Sequence, residues 1–464
     1  MQFRKHLIQM AAGAVSAVML LSSACTTALA ADNTPIGYIE AVPGTVTGAD
    51  VTSDPNYLIY KGYLEEENGV VSALYNGLIN TRTEIDIRDY AVPKENISTL
   101  LQVMYHSFPE LWYLKSFGYS YTSTNIVTQV YPVYLTVEGD LEEMKAAFFD
   151  VAKQRYLPLV NDGMDDFTKA IVLHDALVLN THYTQDPKNA RGNNYTYMVE
   201  NYGVCQFYAE CYAYLLAQCG IKSEVVSSDS MNHAWLKIQL DGKYYNVDST
   251  WDDPTPDKAG HVRHAYFLYS DSVFQTEDDT MDRDLHKNYL SIHAADSTAY
   301  DSFDHLHYFD SEVCYLDGTF YAIDCSPTTG ETYLVTYDHR TDAVSNLKKL
   351  NFRWSVADQP GYYYTGNYSS LAAYGGKLYY NSADMVYAYD PATGATEEFA
   401  AAASSSDNKV LYGLRITDGK LWGVYAPSPR EGYIEPTYMR DMPQSDYTVT
   451  VDSGITNGTV KADA

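Results

Sequence analysis

The stretch at residues 202–220, YGVCQFYAECYAYLLAQCG, decides how the fold is interpreted. A glycine-containing turn leads directly to Cys205, and an apolar run continues from there to Gly220. Residues at helical spacing share one face of this run: Cys205, Tyr208, Ala209, Tyr212, Leu215, Leu216 and Cys219. Because such spacing is typical of a helix, and glycine commonly follows a helix C-terminus, the stretch predicts a single helix. The Cys205 thiol is therefore predicted at a helix N-terminus.

A second stretch, HAWLKIQLDGKYYNVDST, begins at His233 and predicts a β-hairpin that turns at residues 241–242. If the turn has two residues, pairing outward from it places Trp235 opposite Asp248 and His233 opposite Thr250. A four-residue loop with the same centre keeps this register, whereas a three-residue loop breaks it. Diagonal neighbours on one sheet face lie about 7–8 Å apart, so the side chains of His233 and Asp248 can meet.

These three groups predict nucleophilic catalysis. A free cysteine thiol ionises near pH 8.5, and a helix N-terminus with a neighbouring imidazolium lowers that pKa. Cys205 is then the nucleophile, His233 moves the proton, and Asp248 orients the imidazole. Backbone N–H groups at the helix start, with Gln206 next to the thiol, are placed to support an oxyanion. Trp235 is predicted to shield the His–Asp pair, although core packing explains it equally well.

Three motifs, KAIVLHDALVLNTHY, GVCQFYAECYAYLLAQCGI and NHAWLKIQLDGKYYNVDSTWDDP, resemble the transglutaminase-like superfamily in its bacterial, secreted branch. The resemblance covers about residues 60–290. It implies an α+β fold with a papain-like core, in which the cysteine helix packs on an antiparallel sheet. It also implies that Cys205 is the nucleophile, His233 the base and Asp248 its orienting acid. Phe207 stands where many relatives have glycine, and it narrows the space beside the thiol.

The resemblance implies an exported cysteine acyl-transfer enzyme. Relatives act as protein-glutamine acyltransferases, as peptidases, or as amidases on glycans and cell-wall peptides. We therefore expect a thioester intermediate on Cys205 and substrates among proteins, peptides, cell-wall peptides or surface polymers. Hydrolysis and transamidation both stay open, because the choice depends on water exclusion at the acceptor side. The alternative is a non-catalytic cell-surface binding or adhesion protein that uses the same core as a scaffold.

The composition fits an exported protein. Residues 1–30 combine a short basic start, an apolar segment and an Ala-Leu-Ala end, which predicts a cleaved signal peptide. Lipid anchoring at Cys25 is the less favoured alternative, because Ser22 occupies a position where such signals have an aliphatic residue. The formal net charge of −29 argues against a nucleic-acid partner. No later segment is apolar for long enough to span a bilayer, so no integral membrane span is expected.

Changes in composition predict the domain organisation. A linker at 31–56 leads to an N-terminal α/β segment at 57–160, which packs on the catalytic core at 161–295. An all-β domain at 305–445 follows, because VCYLDGTFYAID, LAAYGGKLYYNS and LRITDGKLWGVY repeat one hairpin plan. These hairpins predict either a propeller-like repeat or an open array. Residues 446–464 resemble the first hairpin of a truncated surface β module.

The remaining histidines and cysteines do not predict a metal site or a disulfide framework. His174 lies on an apolar helix face and is expected to be a core histidine. The pairs His261/His264 and His305/His307 lack supporting cysteines, so we predict no metal and no cofactor. Five cysteines remain after signal removal, and this odd number leaves at least one free thiol. The disulfide state of the last two cysteines, at 314 and 325, stays open.

Overall fold

The computed structural model describes most of the chain from residue 68 onward. The described residues are 37–41, 62, 64, 68–184, 192–254, 258, 260–276, 286–356, 359, 361–364, 367–402, 409–429 and 434–443. The predicted signal peptide at 1–30 and the predicted surface module at 446–464 lie outside them. Among the described helices, none has the length and apolar character needed to cross a bilayer.

The N-terminal part of the described chain is an antiparallel sheet with three helices. The strands are β1 (Gly37–Ala41), β2 (Ile85–Asp86), β3 (Leu114–Tyr121) and β4 (Val127–Tyr134), in the order β1-β3-β4-β2. The helices are Gly69–Ile79, Ile97–Ser107 and Leu141–Val151. The second helix ends just before Pro109, as expected for a residue that cannot continue a helix, and a strand follows.

The predicted linker at 31–56 contains a strand. Its residues Gly37–Ala41 form strand β1, which pairs antiparallel with β3 from Gly37 opposite Tyr121 to Ala41 opposite Phe117. Without this pairing, the backbone N–H and C=O groups on one edge of β3 would be unpaired. The hydrogen bonds to β1 satisfy these groups. Residues Gly37–Ala41 are therefore part of the sheet.

The central part carries the predicted cysteine helix and hairpin. Its helices are Asp166–Asn180, Asn194–Glu200 and Cys205–Gln218, and its strands are β5 (His182–Tyr183), β6 (Tyr202–Gly203), β7 (Ser223–Ser228), β8 (His233–Leu240), β9 (Lys243–Val247) and β10 (Phe267–Tyr269). Strands β7–β10 form one antiparallel sheet in the order β10-β9-β8-β7. The Cys205–Gln218 helix packs against β7 and β8, and it buries Tyr208, Tyr212 and Leu215 completely. Two short helices, Asp271–Phe274 and Asp304–Tyr308, follow.

The β8–β9 hairpin has the predicted register where it is paired, but the predicted pairs Trp235–Asp248 and His233–Thr250 are not part of the ladder. Leu240 pairs with Lys243, and the ladder runs outward to Leu236 opposite Val247. Asp241 and Gly242 have φ values of 49° and 75°, as a two-residue type I′ turn requires. The turn therefore sets which residues of the two strands share a face.

The C-terminal part consists of three antiparallel sheets. Their strands are β11 (Cys314–Leu316), β12 (Thr319–Cys325), β13 (Thr332–Asp338), β14 (Ala343–Lys349), β15 (Leu371–Tyr374), β16 (Lys377–Asn381), β17 (Met385–Tyr389), β18 (Thr396–Ala401), β19 (Val410–Thr417), β20 (Lys420–Ala426) and β21 (Thr437–Asp441). Each of the three repeated sequences forms the first hairpin of one sheet, and neighbouring strands are consecutive in sequence. Within the described residues these sheets close into neither a barrel nor a propeller, so they form an open array.

Buried polar contacts join the C-terminal sheets to the central part. The Val313 N–H donates to Asp175 Oδ2 at 2.8 Å, and His261 Nε2 lies 2.8 Å from the Tyr412 carbonyl oxygen. Arg415 Nη2 also donates to Asn180 Oδ1 at 2.7 Å. Since an unsatisfied buried polar group is costly, removal of these sheets would expose or orphan groups of the central part.

Candidate active site

Cys205 is the first residue of its helix. The preceding residue, Val204, is extended and its carbonyl oxygen accepts from the N–H groups of Phe207 and Tyr208 at 2.9 and 3.3 Å. The N–H groups of Cys205 and Gln206 thus precede the first hydrogen bonds of the helix, at its positive end. The thiol is free and half-buried.

Gly203 explains how the chain reaches this position. A Cβ at Gly203 would lie 2.9 Å from the Tyr197 ring and 3.3 Å from the Phe207 ring, closer than side-chain atoms normally pack. Glycine therefore lets the backbone pass between two aromatic rings immediately before the thiol. Phe207, the residue predicted to narrow this region, is itself buried there.

The side chains of His233 and Asp248 meet, although the paired ladder ends before Asp248. His233 Nε2 lies 2.5 Å from Asp248 Oδ2, and both side chains are buried. Asp248 follows the last paired residue of β9, and its N–H donates instead to the Tyr266 carbonyl oxygen at 3.0 Å. The Cys205 thiol lies close enough to His233 to raise the pKa of its imidazole. Since Nε2 faces the carboxylate, Nδ1 is the ring nitrogen left for the sulfur.

The electrostatics of the pair favour an imidazolium beside a carboxylate. Burial by itself lowers the pKa of His233, but Asp248 outweighs it and the thiol adds to this effect, so the pKa is raised from 6.5 to about 10. Burial by itself raises the pKa of Asp248, yet the two neighbouring imidazoles hold it well below its usual range. One of those imidazoles belongs to His233, and the other to His286.

Asp248 accepts four hydrogen bonds. The N–H groups of Thr250 and Trp251 donate to Oδ1, each at 3.1 Å. His286 Nε2 lies 2.9 Å from Oδ2, the oxygen that also faces His233. A fully buried carboxylate needs such partners, because an unpaired buried charge is very unfavourable.

Two tryptophans cover the imidazole. The Trp251 ring stacks on His233 with centroids 4.6 Å apart and an interplanar angle of 13°. Trp235, the shielding residue predicted from sequence, lies further away at 6.0 Å, and its Nε1–H donates to Asn246 Oδ1 at 3.1 Å. The flat faces of the imidazole are therefore enclosed by aromatic surface.

The structure brings together four of the five predicted site residues: Cys205, His233, Asp248 and Trp235. The Gln206 side chain lies apart, with Nε2 2.8 Å from Glu210 Oε1 and 2.9 Å from His106 Nδ1. This side chain thus faces the N-terminal segment. Only the backbone of Gln206 lies beside the thiol, where an oxyanion could accept its N–H.

Sequence reasoning missed Trp251 and His286. The sequence around Trp251 indicates only a turn, and the stacking of its ring depends on the chain reversing after Asp248. His286 follows in a later loop with no regular spacing to the hairpin, so no local pattern could have identified it. Only the folded chain shows that a second imidazole reaches Asp248.

A second buried cluster surrounds His174. Its Nδ1 lies 2.9 Å from Asp175 Oδ1, its Nε2 lies 3.3 Å from Asp252 Oδ2, and His264 Nε2 lies 2.9 Å from Asp175 Oδ1. Burial alone lowers the pKa of His174, but the two acids raise it to about 9. Asp252 thus supports this cluster, and neighbouring Asp253 accepts from the Tyr208 hydroxyl at 2.5 Å.

Histidines and aspartates in both clusters are side chains that zinc accepts. In each cluster, however, one ring nitrogen of every histidine hydrogen-bonds directly to a carboxylate oxygen, and we interpret both as hydrogen-bonded networks. The histidine pairs considered from sequence do not converge. His261 contacts the Asp310 and Tyr412 carbonyl oxygens, whereas His264 contacts Asp175.

All five described cysteines are free thiols. Burial raises the pKa of four of them, namely Cys211, Cys219, Cys314 and Cys325. A thiol that stays protonated is a poor nucleophile. Cys205 differs from the other four in that it lies at a helix N-terminus, near the His233 imidazole.

The imidazole thus contacts the carboxylate and lies near the sulfur, which has helix N–H groups beside it. This is the arrangement that cysteine nucleophiles use for acyl transfer. Within the chain, residues 153–249 match the family described as the Transglutaminase-like superfamily. The matched segment contains Cys205, His233 and Asp248.

Comparison with solved structures found a weak similarity. A chain described as "Crystal structure of a TGase" is 10% identical, with a TM-score of 0.20, over 27% of this chain and 41% of that chain. The chain thus spans less than half the length of that structure. No curated protein sequence matches this chain at a significant level.

Proposed function

We propose that this chain is a transglutaminase-like cysteine enzyme that cleaves or transfers acyl groups of protein or cell-wall peptide amides. The observation that carries the proposal is the 2.5 Å contact between the His233 imidazole and the Asp248 carboxylate, with the Cys205 thiol at a helix N-terminus near that imidazole. The family match over residues 153–249 supports it. No cofactor is needed for this chemistry.

The mechanism follows from the positions of the three groups. The Cys205 thiolate attacks the carbonyl carbon of an amide, and the helix N–H groups bind the oxyanion that forms. The C–N bond breaks as the His233 imidazolium gives its proton to the leaving nitrogen, which departs as ammonia or an amine. Water or a second amine then attacks the thioester, His233 takes its proton, and the thiol is released with a carboxylic acid or a new amide.

We further propose that the central part is a papain-like core and that the protein acts outside the cell. A helix that carries the nucleophile at its N-terminus and packs on an antiparallel sheet supports the first point. The apolar segment and Ala-Leu-Ala sequence within residues 1–30, with the net charge of −29, support export from a bacterial cell.

Trapping of the acyl-enzyme tests the proposal. The protein is incubated with a pool of peptides and cell-wall digest, quenched in acid, and analysed by mass spectrometry of the peptide that contains Cys205. We expect an adduct that disappears in Cys205→Ala. Cys219→Ala is the matched control, because it removes another half-buried thiol at the far end of the same helix and should leave the adduct intact.

A fluorescent primary amine and ¹⁸O-labelled water, added together, separate the two outcomes of the thioester. Amine incorporation indicates transamidation, and ¹⁸O in the released acid indicates hydrolysis. If no adduct forms and Cys205→Ala behaves as the unmodified chain does, the enzyme proposal is wrong. The non-catalytic binding protein would then be the better description.

A further inference from the structure

His286 lies outside the residues that match the family, yet it contacts the candidate catalytic acid. Its side chain is completely buried, and its Nε2 lies 2.9 Å from Asp248 Oδ2. The same oxygen lies 2.5 Å from His233 Nε2. One carboxylate oxygen is therefore shared by two imidazoles.

Packing holds the His286 ring in one orientation. The ring stacks on Phe274 with centroids 4.1 Å apart, and it lies 4.4 Å from Trp251 and 4.6 Å from Trp235. Its backbone N–H donates to the Phe274 carbonyl oxygen at 2.7 Å. Trp251 and Trp235 are the rings that also cover His233, so both imidazoles share one aromatic enclosure.

The residues after His286 are hydrogen-bonded to strands β7 and β8, the second of which carries His233. Ser228 Oγ, at the end of β7, donates to the Lys287 carbonyl oxygen at 2.5 Å. Glu224, also on β7, accepts from the N–H groups of Ile292 and His293 at 3.0 and 3.2 Å. Lys237 on β8 donates to the His293 carbonyl oxygen at 2.8 Å. The position of His286 relative to Asp248 is thus determined by the same sheet that positions His233.

We propose that His286 is a positioning residue of this site, whose Nε2–H donates to Asp248 Oδ2 and so divides the charge of that oxygen between two imidazoles. Asp248 Oδ1 is already held by two backbone N–H groups, so His286 is not needed to prevent rotation of the carboxylate. Its effect is on charge: a carboxylate oxygen that already accepts one hydrogen bond attracts the His233 proton less strongly. A base that releases its proton more readily is better matched to general acid–base catalysis near neutral pH.

This inference rests on the proposed function for its catalytic meaning, but its structural part can be tested separately. Titratable groups that lie close to the His286 ring include Asp248, His233 and Tyr266. Two variants of the full chain are compared. His286→Phe keeps an aromatic ring and removes the donor, whereas His286→Gln keeps an N–H donor of similar reach.

The direct measurement is the pKa of His233, followed by NMR in ¹³C-histidine-labelled protein and assigned by signal loss in His233→Gln. In His286→Phe we expect that pKa to rise by about one, because Asp248 Oδ2 then serves His233 alone; a hydrogen bond to a charged group is strong enough for such a change. In His286→Gln it should stay within about 0.5 of the unmodified value. The control His264→Gln alters an equivalent His–Asp contact in the other cluster and should leave His233 unchanged.

The catalytic measurement uses p-nitrophenyl acetate as the acyl donor. Deacylation needs a neutral His233 to take a proton from water, so kcat at pH 7 should fall about tenfold in His286→Phe and less than about threefold in His286→Gln. An unchanged His233 pKa in a folded His286→Phe protein, or an equal change in both variants, would overturn the proposal. If His286→Phe does not fold, a His233 pKa displaced by more than about 0.5 in His286→Gln overturns it, and an unmoved pKa supports it.

The two proposals fail in different ways. If turnover of p-nitrophenyl acetate is the same in the unmodified chain and in Cys205→Ala, the proposed enzyme activity is wrong. The NMR titration of His233 still decides whether His286 shares the charge of Asp248.

Discussion

Replacement of Asp248 by asparagine tests whether the carboxylate controls the proton on His233. In the folded variant, the introduced amide would keep an oxygen for the N–H groups of Thr250 and Trp251, which in the unmodified chain donate to Asp248 Oδ1 at 3.1 Å. The NH₂ group of this amide would then face His233 Nε2. That nitrogen would have to accept a hydrogen bond, so the ring proton would move to Nδ1, the nitrogen nearest the thiol. His233 could then no longer take the thiol proton.

The size of the effect follows from the pKa of His233, which is raised from 6.5 to about 10 even though burial alone lowers it. A tenfold change in proton affinity corresponds to about 1.4 kcal/mol, so Asp248, with a smaller contribution from the thiol, leaves the imidazolium stabilised by about 5 kcal/mol after the cost of burial is offset. Without the carboxylate, burial dominates and the pKa should fall below 6.5. At pH 7 the imidazolium would change from the main form to roughly a quarter or less, and kcat should fall about 10⁴-fold.

NMR titration of the His233 signal between pH 5 and 11 measures the change directly. Asp253→Asn is the matched control, because it makes the same chemical change at a buried acid of the same loop, one that accepts from the Tyr208 hydroxyl. The His233 pKa should stay near 10 in the control and drop below 6.5 in Asp248→Asn. Titration near pH 10 in Asp248→Asn, or near 6.5 in the unmodified protein, would refute this account of the site.

The other predictions concern selectivity, pH and packing. Iodoacetamide at pH 7 should alkylate Cys205 well before Cys211, whose burial raises its pKa, and peptide mapping that shows equal labelling would contradict this. The pKa of His174 is raised to about 9, so its contribution to stability is complete below about pH 6.5 and is lost as pH rises toward 9; over this range, urea unfolding should show a loss about 3 kcal/mol larger in the unmodified chain than in His174→Gln. Leu216→Ala should lower the free energy of unfolding by about 2–5 kcal/mol, because the side chain is fully buried. Leu347→Ala, at a 40% exposed position, should change it by less than about 0.5 kcal/mol, and similar urea midpoints for both variants would argue against the described core.

The part of the site that could be predicted from sequence depends on local geometry. An Asp-Gly pair in a two-residue turn determines the hairpin register, and this brings His233, the first residue of β8, close to Asp248, the residue after β9. Helical spacing and the glycine-containing turn before Cys205 likewise indicate where the Cys205 helix starts. In both cases the interactions that determine the local structure span only a few residues, so the local sequence pattern is enough to predict it.

The parts that could not be predicted depend on contacts between distant segments. Gln206 faces His106, which is 100 residues away in the chain, and its direction follows from that contact. The β1 strand pairs with β3 across a similar gap, so nothing in its own short sequence distinguishes it from a linker. The sequence does not distinguish three aspartates near the hairpin, Asp248, Asp252 and Asp253. Only their contacts in the folded chain show that their roles differ.

Those partners show why Asp248 and not its neighbours is suited to orient His233. The Asp252 N–H donates to the Asp248 carbonyl oxygen at 3.0 Å, and Asp252 Oδ1 accepts from the Tyr266 N–H at 2.9 Å. One carboxylate oxygen of Asp252 therefore stabilises the loop, and the other faces His174 in the second cluster. Through Asp175 that cluster also accepts from Val313, which leads into the C-terminal sheets. Buried charged groups and the C-terminal part of the chain thus support the loop that carries Asp248. The position of its carboxylate beside His233 therefore depends on the C-terminal sheets as well as on the hairpin.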